Sequence, residues 1–337
     1  MRSPIIKRLA TISLVFIFLV ILAGSIVRAT GSGMGCPDWP KCFGYTIPPT
    51  DVETLTWRDN RGFEEGQMIL RENHFWVATS DFTTSTTFNQ LNWSKYDRHD
   101  YSIFNPVHTW IEFINRLIGA LSGIPILILA VLSVISVRKN PINAILSMAV
   151  LFLLLFEAWL GKTVVDGNLV PNQITIHMMG SVVIVLLLLM LRARNEIEAP
   201  RLPKIVVVTL LTLLVLTITQ IFLGTQTREL VDAAMDNGMI NRIDIIPGIE
   251  SSLPEIHRSF AWLVLVVASI LVYAKRVTKT DIPGFNALVF GIGLEWTVGL
   301  VLYFLGLPEV MQPVHLVLSI AILSSISYPL FLSVRKT

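Results

Sequence analysis

Eight stretches of the chain are long and apolar enough to cross a bilayer, and they leave it little choice of fold. A spanning helix needs about 20 mostly apolar residues. Leu9–Val27, Leu117–Val137, Ala144–Gly161, Ile174–Leu191, Ile205–Leu223, Phe260–Ala274, Phe285–Leu305 and Val314–Val334 qualify. Six of them carry no Asp, Glu, Lys or Arg, and the other two carry one carboxylate each, Glu157 and Glu295. In hydrocarbon a backbone can satisfy its polar groups only as a helix or a closed barrel, and runs of this length select the helix. Only 15% of the 337 residues are charged, against roughly 25% in soluble domains. The 26 Lys+Arg and 24 Asp+Glu leave a formal charge of +2, too balanced for a nucleic-acid partner. The expectation is an all-α membrane protein. Arg2, Lys7 and Arg8 precede the first run as they would in a signal peptide, but its apolar length suits an uncleaved anchor.

The remaining charges orient the spans. Basic residues favour short cytoplasmic connections. Arg2, Lys7 and Arg8, then Arg138 and Lys139, then Arg192, Arg194, Arg201 and Lys204, then Lys275, Arg276 and Lys279, and finally Arg335 and Lys336 fall in alternate connections. Those hold 14 of the 26 basic residues. Both termini are therefore expected in the cytoplasm, with residues 28–109 and 226–256 as two large outer loops. The first loop holds Trp57, Phe75, Trp76, Trp93 and Tyr96 among its charges, too aromatic for disorder, and is expected to fold as short helices over the amino-terminal half.

The spans also repeat. Glu157, Gly161 and His177 recur at the same intervals as Glu295, Gly299 and His315. Gly24 and Arg28 end the first span as Gly224 and Arg228 end the fifth, and Asn115-Arg116 leads into the second as His257-Arg258 leads into the sixth. The pattern predicts two tandem four-helix bundles, residues 1–195 and 196–337. With four spans each, they would be related by a pseudo-twofold axis along the membrane normal.

His74 and His99 fall in the polar outer loop, where solvation suffices to explain them. His177, His257 and His315 each stand at the start of an even-numbered span, at one depth near the outer face. Ionisable groups in a membrane are costly and face the bundle interior, so either they bond neighbouring helices or they bind a metal. Two imidazoles facing across a bundle can clamp haem iron, whereas zinc would need four tetrahedral Cys, His or carboxylate ligands among residues that are here apolar. His257 and His315 are thus expected to hold a haem in the carboxyl-terminal half. In the amino-terminal half Asn115 takes the place of His257 opposite His177, which leaves one imidazole and an open position on the iron. His108, two turns before Asn115, fits a rim or propionate contact. Arg28, Arg228, Arg116 and Arg258 could hold propionates through paired donors or anchor in the headgroups. Glu157 and Glu295 read as interhelical hydrogen-bonding groups.

The run Gly31-Ser32-Gly33-Met34-Gly35-Cys36-Pro37-Asp38-Trp39-Pro40-Lys41-Cys42 resembles the first outer loop of haem A synthases. Glu112-Phe113-Ile114-Asn115-Arg116 resembles that family's Glu-x-x-His-Arg segment, with Asn in place of His. Thr175-Ile176-His177, Ile256-His257-Arg258 and Val314-His315-Leu316 also fit, as does the two-by-four-helix plan. The resemblance covers nearly the whole chain. It implies oxidation of a porphyrin methyl of haem O to the aldehyde of haem A, for terminal oxidases of a bacterial cytoplasmic (inner) membrane. It implies haem b on His257 and His315, the substrate or product haem on His177 in the amino-terminal half, and Glu112 as the acid near the reacting group. Glu112 lies three residues from Asn115 on one helical face; its plainer reading is an ion pair with Arg116.

Cys36 and Cys42, the only cysteines, lie in the outer loop, where a disulfide persists. A strained, exposed bridge there is open to reduction, and the family implies a redox role; a structural staple is the other reading. The partners implied are haem O synthase, an electron acceptor, thiol-disulfide oxidoreductases and further copies of the chain. Two other readings compete, a di-haem cytochrome taking electrons from quinol and a haem-binding family member without synthase activity. A parallel-repeat transporter would account for the duplicated architecture alone.

Overall fold

The structure, a computed structural model, describes residues 3–97, 103–166, 173–239 and 241–334. Arg2, His99, Arg335 and Lys336 lie outside the described residues. The described residues form nine α-helices, of which eight are long and apolar enough to cross a membrane. These are α1 (Pro4–Ala29), α2 (Pro106–Ile135), α3 (Pro141–Asp166), α4 (Gln173–Arg194), α5 (Lys204–Asp236), the short α6 (Arg242–Gly248), α7 (Leu253–Thr278), α8 (Phe285–Phe304) and α9 (Met311–Val334).

Several helices outrun their apolar segments because local chemistry sets their ends. α2 starts at Pro106, well before Leu117, because the Asn105 side chain accepts from the Val107 and His108 N–H groups and Pro106 needs no partner at the first position. His108 is therefore helical, two turns before Asn115. α5 runs on past Leu223 to Asp236, and α6 occupies part of the second outer connection. Residues 226–256, expected as loop, are mostly helix.

α1 packs on α2 and α4, and α3 on both of those; α5 packs on α7 and α9, and α8 on α9 and α7. α9 also meets α1 and α4, and α5 meets α4. One buried apolar cluster runs through α1, α2, α4 and α9, and a second through α5, α7, α8 and α9. Large apolar side chains such as Phe152, Trp159, Val215 and Phe290 point outward, where lipid would meet them.

Polar contacts tie the two sets of helices together at both ends. At one end the Ser3 N–H donates to Asn195 Oδ1 (3.0 Å) and Lys7 Nζ lies 2.7 Å from Glu196, joining α1 to the segment after α4. The Tyr328 hydroxyl of α9 donates to the same Glu196 carboxylate at 2.9 Å, which bridges the two sets. Burial alone would raise the Glu196 pKa, yet Lys7, Tyr328 and the Ile197 N–H together hold it below the usual carboxylate range. At the other end Asp232 of α5 accepts from Arg28 of α1 (2.6 Å) and from Arg228 (2.8 Å).

The first outer loop is not built of short helices as expected. Its strands are β1 (Gly62–Phe63), β2 (Met68–Arg71), β3 (His74–Ala78), β4 (Phe82–Thr83) and β5 (Trp93–Lys95), with a turn of 3-10 helix before β1 and another before β5. β2, β3 and β5 form an antiparallel sheet, and β1 pairs with β4. The Glu72-Asn73 turn, with both φ values positive, closes the β2–β3 hairpin in the geometry that two-residue hairpins prefer. The loop aromatics form its core: Phe43 meets Phe75 and Phe104 edge-on, and Trp93 packs among Phe63, Phe82 and Phe88.

Candidate functional site

His177, His257 and His315 share a position in their helices. Each lies four residues beyond the first residue, which is Gln173 in α4, Leu253 in α7 and Met311 in α9. The structure brings two of them together. The rings of His257 and His315 face each other with centroids 6.3 Å apart and planes at 90°. They border a cavity of about 280 Å³ between α1, α5, α7, α8 and α9, which Arg28, Arg228, Arg258 and Glu295 also line. Gly224 and Gly299 admit the two rings: a Cβ on Gly224 would stand 3.1 Å from His257 Cε1, and one on Gly299 3.3 Å from His315 Cε1. A side chain at either position would push the ring aside by a few tenths of an ångström. Nδ1 of His257, like Nδ1 of His177 and of His315, is buried and makes no hydrogen bond among the described residues.

Glu157 and Glu295 do link helices, but their partners are the histidines, which the sequence reading did not connect to them. Glu157 Oε2 of α3 lies 2.5 Å from Nδ1 of His177 in α4, and Glu295 Oε1 of α8 lies 3.2 Å from Nδ1 of His315 in α9. Both pairs are twenty residues apart in sequence. That shared interval was the signal available: a carboxylate and an imidazole on consecutive helices, repeated at one spacing.

The arginines divide. Arg28 and Arg228 line the cavity and share Asp232, and Arg228 also donates to Gln312 (2.5 Å). Arg258 lies over the Tyr303 ring at 4.4 Å and borders the cavity. Asp232 escaped the sequence reading, although its place four residues after Arg228 on one helix puts it on the same face. Arg116 is elsewhere. Its guanidinium donates to the carbonyls of Asp38 (2.6 Å), Lys41 (3.0 Å) and Cys36 (3.3 Å), and it pairs with Glu112.

In the amino-terminal half, Glu112 is buried under the outer loop. Beyond the ion pair with Arg116, its Oε2 accepts from the Cys36 N–H at 2.8 Å. Thr109 Oγ1 donates to the Gly35 carbonyl at 2.8 Å, and Gly35 lies against the α2 backbone so closely that a Cβ there would stand 2.5 Å from the His108 carbonyl carbon. Cys36 and Cys42 form a disulfide. Both are at most 1% exposed, so the bridge is covered by the loop core and not exposed as expected. Asp38 closes the same turn by accepting from the Gly44 N–H at 2.8 Å; burial pushes its carboxyl above the usual range, against the pull of the Gly44 and Phe43 N–H groups and Arg116. Asn115 points towards α1, with its Oδ1 3.8 Å from where a Gly24 Cβ would stand, just as His257 faces Gly224.

Residues 7–79 and 73–327 match the family model described as cytochrome oxidase assembly protein (COX15-CtaA). The chain is 28% identical over 227 residues to a heme A synthase of Shewanella oneidensis, an alignment covering 65% of this chain and 56% of that protein. It is 22% identical over 346 residues to a heme A synthase of Flavobacterium johnsoniae, covering 94% of each. A heme A synthase of Rickettsia canadensis is 22% identical over 373 residues, covering 98% of each. The chain thus spans little more than half of the first relative and nearly all of the other two.

Proposed function

Because the chain belongs to the cytochrome oxidase assembly protein (COX15-CtaA) family, a multi-pass membrane family with heme A synthase members, we propose that it converts haem O to haem A by oxidising one ring methyl to an aldehyde. The observation that carries this reading is the facing pair His257 and His315 at the rim of an apolar cavity. With a metal–imidazole bond of about 2 Å and the nitrogen about 1 Å from the ring centre, two imidazoles sharing one iron stand roughly 6 Å apart between centres. The observed 6.3 Å matches that separation, and Gly224 and Gly299 leave room for the two rings. These residues suit a resident haem b, which when bound supplies one-electron transfer.

Each polar side chain then has a part. Arg28 and Arg228, held by Asp232, and Arg258, over Tyr303, offer cationic donors at the cavity for two propionates. In the amino-terminal half His177 is the imidazole for the substrate or product haem, and Asn115 leaves the opposite side without one. Glu112 is the acid or base beside the reacting group. Its oxygens already accept from Arg116 and the Cys36 N–H, so a proton arriving at Oε2 competes with the loop. Haem sites towards the outer face of a bacterial cytoplasmic membrane, an electron acceptor, haem O synthase and thiol-disulfide oxidoreductases as partners, and lateral self-association complete the reading.

The test is pigment analysis. The protein expressed with haem O should yield haem A or its alcohol intermediate on extraction. Unchanged haem O from folded, haem-loaded protein overturns the proposal. That outcome is what a haem-binding member without synthase activity would give, the second reading that Asn115 favours.

A further inference from the structure

The carboxylates behind His177 and His315 have no part in the reading above, and their geometry gives them one. We infer that Glu157 and Glu295 are positioning residues that fix the tautomer of these two imidazoles and strengthen them as iron ligands, so that the one ligand retained in the amino-terminal half is the carboxylate-backed one. The inference rests on the reading of His177 and His315 as haem ligands.

Three observations support it. Each carboxylate meets Nδ1, at 2.5 Å for Glu157 and 3.2 Å for Glu295, which leaves Nε2 as the nitrogen free to meet iron. A ligating imidazole that gives its other N–H to a carboxylate is oriented by it and becomes more basic. The arrangement also differs from an ordinary polar link between helices. Both carboxylates are largely buried, with side chains 7% and 17% exposed, and neither oxygen of Glu157 has a hydrogen-bond partner among the described residues, so its close approach to the His177 ring is its nearest polar contact. An isolated buried charge is costly, so each carboxylate depends on its histidine.

The third observation is the room made for Glu157. A Cβ on Gly180, one turn beyond His177 in α4, would stand 2.8 Å from Glu157 Cδ. The corresponding residue after His315 is Leu318. A glycine is thus present at the position where the closer of the two pairs needs space.

The histidine positions then fall into two kinds. His177 and His315, on the last helix of each half, are backed by a carboxylate. Among the described residues no carboxylate stands within ion-pair distance of His257, and its counterpart Asn115 is not an imidazole at all. In the carboxyl-terminal half an unbacked and a backed imidazole face each other. In the amino-terminal half the backed one stands alone, which gives the strongest available donor to the haem with an open side.

Loss of either carboxylate should change the haem's spectrum and potential in ways distinct from lost activity. Glu295→Gln keeps the shape and removes the charge. In purified protein as isolated it should retain its low-spin haem but stabilise ferric iron about tenfold less, an upward shift of about 59 mV in a one-electron titration. Retained haem with an unchanged potential overturns the inference. If Glu295→Gln loses its haem, Glu295→Asp decides: haem recovered with a near-native potential supports the carboxylate's role, and no recovery overturns it.

For the amino-terminal half, Gly180→Ala displaces the Glu157 carboxylate without altering any charge, and Glu157→Gln removes the charge without adding bulk. Both should lower the iron–histidine stretching frequency of the ferrous haem on His177, and an unchanged frequency in both overturns the inference there. His315→Ala separates the two levels of the argument. Loss of the low-spin haem leaves the ligand reading standing, whatever Glu295→Gln does, whereas its retention overturns the ligand reading itself.

Discussion

Gly35→Ala tests how the outer loop is fastened to the membrane helices. The new Cβ would stand 2.5 Å from the His108 carbonyl carbon and 2.8 Å from the Thr109 nitrogen, both backbone atoms within α2, whereas ordinary contact begins near 3.4 Å. Neither atom can move without disturbing the helix, so the loop must shift by about 1 Å. The contacts from Thr109 Oγ1 to the Gly35 carbonyl and from the Cys36 N–H to Glu112 are each 2.8 Å, and a shift of that size takes both beyond bonding range. The carbonyls that receive the Arg116 guanidinium move with them. At about 1 kcal/mol for a neutral bond and about 1.5–3 kcal/mol for one to a charged group, the loss amounts to roughly 2.5–4 kcal/mol. Each 1.4 kcal/mol is tenfold in an equilibrium, so the lifted loop becomes roughly 100-fold or more commoner. Cys36 and Cys42, at most 1% exposed, are reached by reductant only in that lifted state. Reduction of the bridge, followed by thiol labelling of purified protein, should accelerate by about the same factor. Gly62→Ala is the control, since its Cβ would meet nothing within 4 Å. Equal labelling rates for Gly35→Ala and the native protein would refute the argument that close backbone approach holds the loop down.

The other expectations follow from the same contacts. His257→Ala and His315→Ala should each remove the low-spin haem signal, whereas Glu112→Gln should keep it and abolish methyl oxidation; retention of the signal in either histidine variant would refute the ligand assignment. Asn115→His should add a second imidazole to the amino-terminal half and convert its haem spectrum to low spin, and an unchanged spectrum would show that Asn115 does not face the iron. Asp232→Ala leaves Arg28 and Arg228 without their shared carboxylate and, allowing for their partial exposure, should cost about 2 kcal/mol in detergent unfolding; unchanged stability would show that the pairs contribute nothing net. The Glu196 carboxyl is held below its usual range in the folded state, so its pairing stabilises above about pH 4.5 and is lost as pH falls through the lowered value. Glu196→Gln should flatten that acid limb, seen as unfolding midpoint against pH.

The spans were legible because charge is almost absent from them, and hydrocarbon admits only a backbone that satisfies itself. Their ends were less so. Asn105 and Pro106 begin α2 inside polar sequence, where hydropathy is silent and only the cap speaks. The aromatics of the outer loop predict order, which the structure has, but nothing in it marks the strands: they are short, and the Glu72-Asn73 turn lacks the glycine that usually signals a hairpin. At the candidate site the facing of His257 and His315 could be read from their repeated place at the start of a span. The Glu157–His177 and Glu295–His315 pairs were visible only as a repeated interval. A shared spacing says that two residues recur together; it takes helix rotation and depth to say that they touch. Asp232 was lost among the charges of a segment taken for loop, which became significant once α5 was seen to carry it to Arg28.

That last contact bears on how the chain assembles. Arg28 and Asp232 are 204 residues apart, and at the opposite end Lys7 waits 189 residues for Glu196, while the Tyr328 hydroxyl that joins Glu196 comes later still. If helices enter the bilayer in chain order, α1 does so with the charges at both of its ends unmatched, and Arg28 stays unmatched until α5 arrives. Insertion of the first four spans can therefore bring the amino-terminal helices side by side without completing their charge pairing. On that order of insertion the final settling of α1 comes late and is set by the second set of helices, so errors made in α5 or α9 should appear as instability at the beginning of the chain.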